Sequence, residues 1–199
     1  MVADRTGAPG RTARAVTAAF SPTLLMAVLS PLVGGLAAGP GGVGWGLAGV
    51  VFIAAVPAAI VHVGVVRGRW SDHHLSRRED RALPLTLSAL SVTAGVALLA
   101  LAGAPRAIVA LQIAVLAVLV LATAITAWWK ISFHVAVVAA SATALCVVGG
   151  AVWLAALLAV PLVGWSRLRL RAHTGAQVLA GAVLGAGITA LVLGVAGAG

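Results

Sequence analysis

Four of the five histidines and three of the four acidic residues fall in three short clusters: "RGRWSDHHLSRREDR" (67–81), "WWKISFH" (128–134) and "WSRLRLRAHTGAQ" (165–177). His173 and Gln177 are four residues apart at the start of an apolar run. A helix there sets both on one face, and the amide can accept a hydrogen bond from one imidazole nitrogen while the other meets a reactant. That pairs a base with an orienter. His134 opens another apolar run, two residues after Ser132, where unpaired backbone N–H groups and the helix dipole favour an anion. Lys130 adds a point charge. A phosphate held by Arg81, Lys130, Arg167 and the amides near Ser132 would have His134 and His173 on opposite sides, as nucleophile and acid.

Helices that cross a bilayer are what must position these groups. The chain has 199 residues, of which 62% are hydrophobic and 9% charged, which excludes an ordinary water-exposed globular domain. Its apolar runs show no strand alternation, so the expected fold class is all-α, a polytopic transmembrane bundle in which each helix satisfies its own backbone. At roughly twenty residues per crossing, spans are expected near 15–38, 45–66, 83–104, 107–128, 133–150, 152–165 and 174–196. That makes seven, with six as the alternative. Breaks are marked by "GPGGVGWG", "GAPRA" and the Gly149-Gly150 pair, and by the polar loop 67–82. Residues 1–14 read as a mobile basic tail, and 15–199 as one transmembrane domain.

With seven spans every arginine and lysine except Arg106 lies on one side, which the positive-inside rule makes cytoplasmic in the cell membrane. Trp70, Trp128, Trp129 and Trp165 sit beside those loops as interfacial anchors would. The net charge of +9 is confined to short loops, so the partner expected is an anionic or phosphorylated lipid rather than nucleic acid.

Other chemistries find little footing. Asp72, His73 and His74, with Glu79 and Asp80 nearby, lack a second ligand set at helical spacing, and no metal or other cofactor is expected. Cys146 is alone in an apolar run, and His62 reads as a neutral histidine near the interface. No glycine-rich phosphate loop, nucleophile elbow or aspartate-rich prenyl-diphosphate motif is present. The small-residue spacing of "GAQVLAGAVLGAG" predicts close helix packing.

Ser166-Arg167, five residues, His173, three residues, Gln177 resembles the third motif of the type 2 phosphatidic acid phosphatase and vanadium haloperoxidase superfamily, Ser-Arg, five residues, His, three residues, Asp. "ISFHV" is similar to its second motif, Pro-Ser-Gly-His, with Ser132 and His134 in register. "HLSRREDRA" echoes the first, with His74 at the lysine position and Arg81 at the arginine. The resemblance spans roughly residues 67–196. It implies a phosphohistidine mechanism without metal: His173 attacks phosphorus, His134 protonates the leaving alkoxide, and Arg167, Arg81 and Ser132 bind phosphate. Ile131, Phe133 and Ala82 depart from the motifs, and Gln177 replaces the carboxylate that would stabilise the imidazolium. In the serine-protease template, the comparable Asp→Asn change costs about ten-thousand-fold in turnover. The function expected is hydrolysis of a lipid phosphate or diphosphate, polyprenyl or glycerolipid. Two alternatives stand beside it: a weak or inactive relative that binds or translocates an anionic lipid, and a transporter subunit whose arginines only set topology.

Overall fold

A computed structural model describes residues 8–70 and 82–198, and every regular element among them is helical. Helix α1 (Ala8–Ala19) precedes α2 (Pro22–Val50), a π-helical turn (Val51–Ala55) and α3 (Val56–Val66). Then come α4 (Ala82–Leu101), α5 (Arg106–Trp128), α6 (Phe133–Gly149), a 3-10 stretch (Ala151–Leu158), α7 (Ala159–Arg169) and α8 (Gly175–Val195). The all-α expectation holds.

Within α2 the chain folds back on itself. Ala38 (φ −143°, ψ 21°) and Gly39 (φ 62°, ψ −154°) leave helical conformation, and Gly39 adopts a geometry open in practice to glycine. Pro40 then starts the second limb, its fixed φ suiting a first helical position. Ser30 Oγ donates to the carbonyl of Gly46 at 2.8 Å. In a straight helix those residues would stand about 24 Å apart. The limbs touch through glycine: a Cβ on Gly34 would strike the Gly42 backbone, and one on Gly46 would strike Pro31.

Five helical stretches among the described residues are long and apolar enough to cross a membrane: Pro22–Val66, Leu83–Leu101, Arg106–Trp128, Ala151–Arg169 and Gly175–Val195. This is fewer than the seven or six expected. Pro22–Val66 counts once although it contains the reversal, and Phe133–Gly149 is only 17 residues long. Such a set of helices is compatible with a multi-pass membrane protein.

Polar side chains lock the centre of the bundle where the π turn disturbs the regular ladder. Fully buried Gln112 on α5 donates from Nε2 to the Gly49 carbonyl at 3.1 Å, and Ser91 on α4 donates to that of Phe52 at 3.0 Å. Helices α6 and α8 approach closely, as the small-residue spacing predicted. A Cβ on Gly181 would lie 2.6 Å from the Ser132 carbonyl, and one on Gly185 would overlap the Ala136 backbone. These glycines fix the height of one helix against the other.

Part of the stretch read as a basic tail lies in α1. Residues 8–14 are helical, and Val16 of α1 and Phe20 just after α1 pack against Val135, Val138 and Val163 of α6 and α7. The buried positions of this stretch, Gly10 and Ala13 followed by half-buried Val16, Thr17 and Phe20, recur at helical spacing. Trp128, Trp129 and Trp165 are exposed beside the polar ends, while Trp70 folds over Gly64 of α3.

Candidate functional site

Hydrogen bonds to main-chain carbonyls join the second and third clusters at one end of the bundle. After α5 ends at Trp128, Lys130 Nζ donates to the Ala172 carbonyl at 2.8 Å, and the Ser132 N–H donates to the Gln177 carbonyl at 3.2 Å. The segments 130–132 and 172–177 are therefore held against each other. Lys130 itself is exposed, and Arg171, in the turn between α7 and α8, has a left-handed φ of 52°.

Ser132 occupies the N-cap of α6 without a side-chain cap bond. Its residue is fully buried, and its Oγ has no hydrogen-bond partner among the described residues. Its own N–H, expected to face an anion, is committed to Gln177.

Gln177 takes part in the cap of α8. Its Oε1 accepts the Thr174 backbone N–H at 3.0 Å, and Thr174 Oγ1 accepts the Gln177 N–H at 3.4 Å. Together these close a capping box at the start of α8. The amide first satisfies the helix terminus, beside half-buried His173 with its buried Nδ1.

His134, the second residue of α6, borders a cavity of about 420 Å³ between α2, α3, α4, α5 and α6. The walls are chiefly apolar, including Met26, Ile53, Val92, Val118 and Phe133, with Ser21, Thr23 and Ser88 as further polar groups. Its volume is in the range of small-molecule sites. Arg167 lies elsewhere: Nη1 contacts Thr17 Oγ1 of α1 at 3.4 Å, and Thr17 Oγ1 is 3.0 Å from Ser166 Oγ.

Lys130, Ser132, Gln177 and the turn carrying His173 thus come together, Arg167 meets α1, and His134 opens on the cavity. His74 and Arg81, with Asp72, His73, Glu79 and Asp80, lie outside the described residues. No group of three metal-ligating side chains occurs among the described residues. Thr17 is the residue that motif reasoning missed. The helical spacing of small and apolar residues in "GRTARAVTAAF" was the available signal, because it marks a face that must pack. Comparison with protein-family models, curated proteins and solved structures gives no match.

Proposed function

We propose that this chain is a multi-pass enzyme of the cell membrane that hydrolyses a lipid phosphate or diphosphate, polyprenyl or glycerolipid, with its polar end in the cytoplasm. Counting the two limbs of the α2 reversal separately, and α6 with them, seven helices cross. Placing every arginine and lysine except Arg106 at one end then satisfies the positive-inside rule.

The observation that carries the reading is an apolar cavity bordered by His134, in a bundle whose same end holds Lys130, Arg167 and His173. A lipid keeps its tail in such a space and its phosphate at the polar rim. An imidazole nitrogen of His173 attacks phosphorus, the P–O bond to the lipid breaks, and His134 gives its proton to the leaving oxygen. Water then attacks the phosphohistidine with His134 as base, releasing inorganic phosphate and restoring both rings. Lys130 and Arg167, with Arg81, His74 and Ser132, balance the charge of the phosphoryl oxygens. This role set follows the resemblance to the type 2 phosphatidic acid phosphatases.

A second reading, binding of an anionic lipid without turnover, is favoured by Gln177. Its Oε1 closes the helix cap, and it brings no negative charge to an imidazolium at His173.

Phosphate release from polyprenyl phosphates, polyprenyl diphosphates and phosphatidic acid, without added metal, separates the two. The hydrolase reading requires release by the detergent-purified protein and its loss in His173→Ala. Headgroup-specific binding with no release by folded protein selects the second reading.

A further inference from the structure

Ser166 and Thr17 are 149 positions apart, yet their hydroxyls are 3.0 Å apart. Either hydroxyl could donate across that contact if the pair stood alone. The neighbours remove the ambiguity. Ser166 has one hydroxyl hydrogen and gives it to the Val163 carbonyl at 2.9 Å, so its oxygen must accept and Thr17 must donate. Thr17 Oγ1 keeps lone pairs, one of which receives N–H from Arg167 Nη1 at 3.4 Å. The relay runs from Arg167 to Thr17 to Ser166 to Val163, each hydroxyl hydrogen being used once.

Two further features say what the relay is for. At 3.4 Å the guanidinium contact is long, so it steers the group more than it holds it. The Nε of Arg167 is meanwhile buried with no hydrogen-bond partner among the described residues. An unsatisfied buried donor on a cation is costly, which makes an anionic oxygen its natural complement. The helix that brings Thr17 is firmly seated, with Ala13 fully buried and Val16 and Phe20 in the apolar cluster with Val163.

We propose that Thr17 is a positioning residue for phosphate: it orients the Arg167 guanidinium so that Nε–H remains available to a phosphoryl oxygen, and α1 is part of the site. This rests on the lipid-phosphate reading above for the identity of the anion. Ser166 is then a buried anchor of the relay rather than a phosphate contact.

The test is a titration of the full chain in detergent with inorganic phosphate, followed by phosphorus NMR, beside turnover of a polyprenyl monophosphate. Thr17→Val keeps the side-chain volume and loses the hydroxyl; Thr17→Ala is a second hydroxyl-free variant, and Thr17→Ser restores the group. The expected result is phosphate binding about fivefold weaker in Thr17→Val and Thr17→Ala, with Thr17→Ser within about twofold of the parent. KM should rise with the binding loss. Unchanged binding in the hydroxyl-free variants, with binding lost in Arg167→Ala, overturns the role of Thr17 and leaves the phosphate reading intact. An equal loss in Thr17→Ser makes the effect one of packing and also overturns it. Equal binding by the parent and Arg167→Ala removes phosphate from Arg167 and defeats both ideas. Binding that depends on the Thr17 hydroxyl, without lipid turnover, supports the inference and defeats hydrolysis.

Discussion

At position 177 two demands fall on one side chain. The α8 terminus needs an acceptor for the Thr174 N–H, and a nucleophilic His173 would be served by a nearby negative charge. Glutamine meets the first and cannot meet the second. Glutamate has the same reach, remains a capping-box residue and favours a helix N-terminus electrostatically, so Gln177→Glu should retain thermal stability. If hydrolysis is the function, its turnover should rise about tenfold or more, a partial return of the large effect a carboxylate has in the protease template. Unchanged kcat in a protein of unchanged Tm would show that the site works around the amide. Gln177→Asp is one methylene shorter and should open the cap, costing about 1 kcal/mol. Differential scanning fluorimetry of the pair reads that difference, and equal Tm values would refute it.

Glycines set the relation between elements. Gly185 of α8 meets the Ala136 backbone of α6, whereas Gly187, two residues on, has open space where a Cβ would go. Gly185→Val must push the helices apart, shifting Ser132 and His134 relative to the His173 turn. A lower Tm and loss of any phosphate turnover are expected together. Gly187→Ala should be neutral, or more stable by up to about 1 kcal/mol through its better helix propensity. A tolerated Gly185→Val would show that the contact has slack. At the α2 reversal, Gly39→Ala forces a residue with a Cβ to φ 62° and ψ −154° and should cost about 1–3 kcal/mol. Its unfolding midpoint in detergent, compared with that of the parent, measures this directly.

For the whole molecule, the seven-crossing reading makes a prediction about sides. In a Cys146→Ser background, single cysteines at Thr23, Gly68 and Gly175 should react with an impermeant thiol reagent from one face of the membrane. Cysteines at Gly41 and Gly103 should react from the other. If Pro22–Val66 crossed only once, the reagent would reach Thr23 and Gly68 from opposite faces. Labelling in intact cells against inverted vesicles gives the answer and also tests the cytoplasmic assignment of the polar end.

Much of the architecture could be read directly along the chain. Hydropathy and backbone hydrogen bonding are local properties, so Ala, Val and Leu runs of membrane-crossing length called for helices, while Gly39-Pro40, Gly103 to Pro105 and Gly149-Gly150 located their breaks. The Gly181 and Gly185 spacing likewise announced a close helix contact. It could not name Ser132 and Ala136 as the opposing surface. That choice, the meeting of Thr17 with Arg167 across almost the whole chain, the commitment of Gln177 to its cap and the opening of His134 onto an apolar cavity depend on helix rotation and height. Polar atoms choose partners within about 3 Å, and residues distant in sequence reach that range only after the helices have packed.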